Sequence, residues 1–276
     1  MEAVMTTSHS AFVGEIPFYY DKYLGPMIFD QYARDLSARV KVPEAGVVLE
    51  TAAGTGIATR ELRDILAAGV HIVATDLNPD MLDLARGKFS DQQNIEFQTG
   101  DAQQLPFDDD CFDAVVCQFS MMFFPDKLRA MQEAARVLKP GGVLLFNVWD
   151  SLQHNYLVQT ASRCICHCLS DNPPNFFATP FGFHNIDTIK GLLFEAGFAD
   201  IEISVLPRTS LAADARSVAL GFVLGTPVRV QIAADHQVPL TDIVAAVEKD
   251  IGEEFGFKNI REKMQAIVFV AQLKSA

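Results

Sequence analysis

The stretch Val47-Val48-Leu49-Glu50-Thr51-Ala52-Ala53-Gly54-Thr55-Gly56 decides the reading of this chain. A short run suited to a buried strand ends in an acid. A turn of small residues follows, and Ile57-Ala58-Thr59-Arg60-Glu61-Leu62 then has the pattern of a helix. Glycine reaches backbone shapes that a Cβ forbids and lets a ligand approach the main chain closely. A strand, a glycine turn and a helix N-terminus together form a nucleotide-sized pocket at the edge of a parallel sheet. A second strand, His71-Ile72-Val73-Ala74-Thr75, ends in Asp76, 22 residues after Gly54. At that distance a doubly wound sheet places a carboxylate on a ribose. The expected ligand therefore carries an adenosine.

The loop also discriminates between cofactors. A dinucleotide site requires G-x-G-x-x-G/A, whose last small residue lets the helix pack on the strand. Counted from Gly54 and Gly56, that place falls on Thr59. The segment instead resembles the E/D-x-G-x-G-x-G loop of class I S-adenosylmethionine (SAM)-dependent methyltransferases. Glu50 stands at the acid, Ala52 at the first glycine, and Gly54 and Gly56 at the second and third. Three further segments follow in the order of that family. They are Gly100-Asp101-Ala102 after a strand-like run; Leu105-Pro106-Phe107 leading into Cys111-Phe112-Asp113-Ala114-Val115-Val116-Cys117-Gln118-Phe119; and Ala135-Arg136-Val137-Leu138-Lys139-Pro140-Gly141-Gly142. In the last, Lys139 suits a helix C-terminus and Pro-Gly-Gly stops the helix. The resemblance covers residues 45–150 and is nearest to the ubiquinone/menaquinone C-methyltransferase-like branch.

The resemblance implies an α/β fold, a doubly wound seven-stranded mostly parallel sheet with its last strand antiparallel and a helical cap. The expected division is an N-terminal segment and helix over residues 1–41, the cofactor-binding core over 42–150, a cap insertion at 151–183, a core helix and strand six at 184–206, a second helical cap insertion at 207–260, and strand seven at 261–276. Within this scheme residues 1–24 read as a loose segment and 26–40 as a helix, with apolar residues at helical spacing. Helices are expected at 57–68, 79–88 and 126–138. Asn78-Pro79 serves as a cap with a first-turn proline. The alternation at 201–205 marks a strand, and 214–255 reads as helical with breaks at Gly225-Thr226-Pro227 and Pro239.

Composition bounds the function. The 276 residues are 49% hydrophobic and 21% charged, enough for one large domain or a core with a cap. The formal net charge is −13. Nucleic-acid binding draws mainly on Lys and Arg neutralising phosphates, so no nucleic-acid partner is expected. No apolar run reaches the ~18 residues of a membrane helix. Met1 to Ser10 lacks the basic and apolar regions of a signal peptide. The five cysteines have no framework spacing, which fits reduced thiols and a cytoplasmic setting. Cys164, Cys166 and Cys168 lie two apart on one predicted helix and point in different directions, so no metal site is expected.

The resemblance implies roles for particular residues, with S-adenosyl-L-homocysteine (SAH) as product. Main chain near Gly54, Thr55 and Gly56 holds the carboxylate end of SAM, and Ala52 lies at the same turn. Glu50 meets the ammonium group, directly or through water. Asp76 accepts both ribose hydroxyls, a role its two oxygens suit. Leu77 and Ala102 sandwich the adenine, with Asp101 accepting from its amine. Gln118, Phe119 and Met122 meet the methionine moiety; core packing is the competing reading for Phe119 and Met122. Tyr20, in a Tyr-Asp segment, either folds over the cofactor or anchors the terminus. Transfer from a sulfonium is an in-line displacement in which positioning supplies much of the catalysis. A base is required only if the acceptor must lose a proton. His154, Tyr156 and His184 are the candidates. The expected partner is a small or lipid-like acceptor, apolar or aromatic by the phenylalanines of the cap. Self-association into a homodimer stays open. An NAD(P)-dependent oxidoreductase and a SAM-binding protein without catalysis are the other readings.

Overall fold

The computed structural model describes residues 12, 14–90, 93–169, 173–235 and 238–274. The reading of Met1 to Ser10 lies outside them. Seven strands form one sheet: β1 (Val47–Thr51), β2 (His71–Asp76), β3 (Ile95–Thr99), β4 (Phe112–Gln118), β5 (Leu138–Trp149), β6 (Phe198–Asp214) and β7 (Lys258–Leu273). Their order is β3-β2-β1-β4-β5-β7-β6. Strand β1 pairs in parallel with β2 and β4, β2 with β3, and β4 with β5, whereas β7 runs antiparallel to β5. The chain thus winds one way from β1 to β3 and resumes on the other side of β1 with β4. That reversal is the switch point at which such sheets bind ligands, beyond the strands' carboxyl ends.

The chain forms two compact units. One holds Tyr32–Trp149, Phe183–Leu206 and Ala266–Ala276, as far as these are described. Its helices include α2 (Asp30–Ala38, all but its first two residues), α3 (Ile57–Ile65), α4 (Pro79–Arg86), α5 (Lys127–Val137) and α7 (Ile186–Glu195). Strands β1, β2 and β4 read as apolar runs because both their faces are covered. One face packs Val48, Ile72, Ala114, Val116, Leu145 and Val268 with Leu36 of α2 and Leu62 of α3. On the opposite face Phe146 stacks on Phe269 with centroids 4.9 Å apart.

The other unit comprises the described parts of Met1–Gln31, Asp150–Gly182 and Pro207–Gln265. It contains α1 (Ile16–Tyr19), a π-helical run Tyr20–Phe29, α6 (Tyr156–Cys168), α8 (Ala215–Leu224), α9 (Val228–Asp235) and α10 (Leu240–Phe255). The π run, marked by an Asp30 N–H to Gly25 carbonyl bond, contains Pro26. Glycines on α8 and just past its end admit it closely. A Cβ at Gly221 would lie 2.8 Å from Leu24, and one at Gly225 2.9 Å from the Tyr20 nitrogen. Phe176, Phe177 and Phe222 are buried, and their rings meet edge to face at 5.2 and 6.3 Å. They form the packed interior of this unit. Among the described residues no single helix is long and apolar enough to cross a membrane; a pair bent by 73°, Ala215–Leu224 with Val228–Ala234, passes only when taken together.

Several local expectations need correction. The expected loose segment is helical from Ile16, because Ile16, Leu24 and Met27 are buried. Strand β6 continues to Asp214, through residues assigned to a helical insertion, and β7 begins at Lys258. Pairing with a neighbouring strand overrides weak local preference there. Helix α5 ends at Val137, and Lys139 ion-pairs with Asp113 at 2.8 Å instead of facing a helix terminus. The conspicuous cation of that segment is Arg136. It donates to the carbonyls of Leu105 and Phe107 at 3.0 and 2.7 Å and to Glu133. Asn78 occupies the N-cap of α4 without a side-chain cap bond.

Candidate functional site

The carboxyl edge of the sheet is built in two halves around the switch point. The first half is the turn after β1 with the end of β2. Ala52, Gly54 and Gly56 all take left-handed backbone, with φ of 52°, 57° and 79°. For Gly56 the need is steric as well as conformational. A Cβ there would lie 3.1 Å from Ala85 and 3.2 Å from Phe89. The turn is tied to β2 by the Ala53 N–H to the Thr75 carbonyl at 2.8 Å, and by the Gly54 N–H to Asp76 Oδ2 at 2.8 Å. Asp76 Oδ1 accepts the Asn78 N–H at 2.8 Å. Oδ1 also accepts the Asn78 side-chain amide at 3.5 Å, so Oδ2 can take a second bond and Oδ1 can exchange this long one for a hydroxyl. Beside it, Leu77 is 56% exposed.

Glu50 ends this half inside the protein, 1% exposed. Burial pushes its carboxyl up to about 8. The Asp76 charge adds to the rise, and the Thr59 hydroxyl and N–H oppose it. Neither Glu50 Oε2 nor Thr59 Oγ1 makes a hydrogen bond of ordinary geometry, so the Thr59 hydroxyl acts on the carboxyl only as a nearby dipole. Burial also raises Asp76, against the N–H groups of Asn78 and Gly54.

The second half is the turn after β4 with the end of β5. Phe119 is left-handed, with φ of 49°, a genuine outlier for a bulky side chain. Its N–H donates to Asn147 Oδ1 at 2.9 Å, and its ring stacks on Trp149 at 3.9 Å. The Ser120 hydroxyl reaches the Gln118 carbonyl at 3.2 Å. Met122 lies in a 3-10 turn, Met121–Phe123, and is 2% exposed. The third loop places Asp101 Oδ1 on the Gln103 N–H at 2.8 Å. Glu133 Oε2 holds the Leu105 N–H at 2.9 Å, so α5 pins this loop from below. Ala102 lies beside Asp101, partly buried.

Register gathers these residues. Side chains two apart on a strand share a face. Glu50 therefore continues the face of Val48, Asp76 that of Ile72, Gln118 that of Val116, and Asn147 that of Leu145. One apolar face turns polar on four strands at their carboxyl ends.

A methyltransferase domain model matches residues 49–146. A demethylmenaquinone methyltransferase of Staphylococcus epidermidis is 30% identical over 196 residues, 66% of this chain and 81% of the relative. A ubiquinone/menaquinone biosynthesis C-methyltransferase of Geobacter sp. is 28% identical over 69% of this chain and 88% of its own. The chain belongs to the class I SAM-dependent methyltransferases, in the ubiquinone/menaquinone C-methyltransferase-like branch. The fold agrees with that of a Haemonchus contortus phosphoethanolamine N-methyltransferase solved with SAM. Its TM-score is 0.60 at 16% identity, covering 98% of this chain and 59% of that one.

The methyltransferase thus uses SAM, and the oxidoreductase and non-catalytic readings fall away. The expected cofactor residues Glu50, Ala52, Gly54, Thr55, Gly56, Asp76, Leu77, Asp101, Ala102, Gln118, Phe119 and Met122 all belong to the sheet-bearing unit. Tyr20 belongs to the helical unit, where its ring stacks on Phe29 at 4.8 Å. The three candidate bases are divided. His154 and Tyr156 fall in the helical unit, and His184 precedes the Asn185 cap of α7 in the other. Sequence reasoning missed Thr59, Asn147 and Trp149. For Asn147 a signal existed: one amide in the otherwise apolar run Val143-Leu144-Leu145-Phe146-Asn147-Val148. A polar group in a buried strand calls for an explanation.

Proposed function

We propose that this methyltransferase moves the methyl group of SAM by in-line displacement to a small, ring-bearing apolar acceptor of the reduced-quinone class, on carbon. The observation that carries the cofactor site is the buried Glu50 oxygen without a partner, across the switch point from the Gln118-Phe119 turn. A desolvated carboxylate oxygen suits an ammonium ion. The left-handed glycine turn leaves room for a carboxylate near its main chain, since a Cβ at Gly54 would meet only Met81, at 3.4 Å. Asp76 takes the ribose hydroxyls, exposed Leu77 and Ala102 enclose the adenine, and Asp101 accepts from its amine.

The cofactor, when bound, supplies an activated methyl group whose transfer leaves a neutral sulfide. The chain's own residues hold that methyl in line with the acceptor and exclude water, which is where most of the rate arises. On carbon transfer a new C–C bond forms, the C–S bond breaks and the acceptor loses one proton to a base. The acceptor class is supported by the names of the relatives. The phenylalanines of the helical unit give it no support, because Phe176, Phe177 and Phe222 are spent on internal packing. Tyr20, stacked on Phe29 in the N-terminal segment, is a further proposed cofactor residue.

Label transfer tests the acceptor. Methyl-labelled SAM is incubated with reduced demethylated naphthoquinones and, separately, with phosphoethanolamine. Label on the quinol ring carbon is expected, and label on the amine alone overturns the acceptor class. Hydrogen exchange with and without SAH tests the cofactor loops. Protection is expected to rise around Gly54, Asp76 and Asp101. No change at these loops overturns the cofactor site.

A further inference from the structure

We propose that Asn147 is a positioning residue for cofactor binding: with Trp149 it grips Phe119 at two points and holds the turn after β4 in the left-handed shape that meets SAM. The inference rests on the cofactor site proposed above and adds a residue to it. Asn147 and Trp149 are two apart on β5 and so share a face. Asn147 takes the main-chain N–H of Phe119 at 2.9 Å. Trp149 takes its ring, stacked at 3.9 Å with 10° between the planes. Tyr32 closes the group edge-on, 5.3 Å from Phe119 and 5.5 Å from Trp149, and its hydroxyl is tied to the Leu206 carbonyl at 3.0 Å.

The amide is not there for stability. Asn147 is fully buried, and its Nδ2 has no hydrogen-bond partner. A buried donor left unsatisfied costs free energy that a leucine of similar size avoids. The orientation of the amide is nevertheless fixed, because only its oxygen can accept the Phe119 N–H. What the amide secures is a backbone conformation that Phe119 would not choose alone. Left-handed backbone disfavours any residue with a Cβ, and an outlier of this kind persists where the surroundings over-determine it. The turn it shapes follows Gln118, the last residue of β4, directly across the switch point from Glu50. Losing the grip lets the turn relax to an ordinary conformation and withdraws its main chain from the methionine end of the cofactor.

The test uses the full chain, SAH titration calorimetry, thermal melting and the emission of Trp149, the single tryptophan. Asn147→Leu removes one unpaired donor and leaves the Phe119 N–H unpaired, so it is expected to melt near the wild-type temperature while binding SAH roughly tenfold more weakly, the scale of one hydrogen bond. Its Trp149 emission shifts as the Phe119 ring leaves the stack. Asn147→Asp keeps an acceptor for the Phe119 N–H and recovers most of the affinity. A purely structural amide predicts the reverse, a lower melting temperature with unchanged affinity, and that result overturns the proposal. If Asn147→Leu does not fold, Asn147→Ala is read by SAH affinity alone, because the cavity it leaves lowers the melting temperature in either case. Asp76→Ala run in parallel separates the two levels. Weakened binding in Asp76→Ala with normal binding in Asn147→Leu overturns the positioning role alone. Normal binding in Asp76→Ala overturns the cofactor site and the positioning role together.

Discussion

The two halves of the sheet edge reach unusual backbone shapes by opposite routes. After β1 the left-handed positions fall on Ala52, Gly54 and Gly56, residues with little or no side chain to object. After β4 the left-handed position falls on Phe119, a residue that resists it, and distant contacts from Asn147, Trp149 and Tyr32 enforce it. In the first half the shape is written locally. In the second it is imposed by packing. The difference predicts how each half fails when altered.

The largest effect belongs to the first half. Gly56→Val puts a branched Cβ against Ala85 and Phe89 and forces valine into left-handed backbone. The combined strain and overpacking cost about 2–5 kcal/mol. Urea unfolding should show that loss, and calorimetry should show no SAH binding. A folded variant with normal binding would sink the loop assignment. Next comes Asp76→Ala, which removes the carboxylate that accepts the Gly54 N–H and is proposed to take two ribose hydroxyls. SAM binding should weaken by about 2–4 kcal/mol, the scale of two charge-assisted bonds.

Glu50 sharpens the comparison through pH. Its carboxyl is raised from 4.5 to about 8 in the folded protein, so the folded state holds a proton that the unfolded chain has released between those values. Stability without cofactor is therefore full below about 4.5 and declines as pH rises toward 8. The decline is on the order of a few kcal/mol. Chemical unfolding across that range should show it, and Glu50→Gln should flatten it. Binding of the cationic cofactor near neutral pH should release up to about one proton, because the ammonium favours the charged carboxylate. Titration in buffers of different ionisation enthalpy measures that release; its absence would remove Glu50 from the ammonium site.

Two smaller effects separate local from imposed shape. Phe119→Gly and Phe119→Ala both lose the ring, but only glycine accepts the left-handed φ freely. Phe119→Gly should be the more stable of the two by about 1 kcal/mol, the opposite of the usual ranking. Equal stability would mean that the turn relaxes once the ring is gone. Ala52→Gly should be neutral or stabilise by up to about 1 kcal/mol, since relief of the φ of 52° offsets the added chain entropy.

Much of the first half was legible because its determinants are neighbours in sequence. Glu50 through Gly56, and Asp76 at the end of the next strand, follow rules that act over a few residues. The errors arose where a distant partner decides. Residues 207–214 became strand through sheet pairing, and residues 16–24 became helix through burial of their apolar side chains. Lys139 pairs with Asp113 instead of meeting a helix C-terminus, and Arg136, with its planar fork of donors, holds the carbonyls of Leu105 and Phe107.

By itself the sequence determined the strand, glycine turn and helix after β1, the acid that ends β2, and the order of segments that marks a SAM-dependent methyltransferase. Spacing and residue type suffice there, because backbone preference and strand periodicity are local properties. The tertiary structure alone decided that four polar residues share one face at the carboxyl edge, that Glu50 is buried with an oxygen unengaged, and that Phe119 is clamped between Asn147 and Trp149. Register between strands and desolvation arise only once distant segments pack, and no short stretch of sequence carries them.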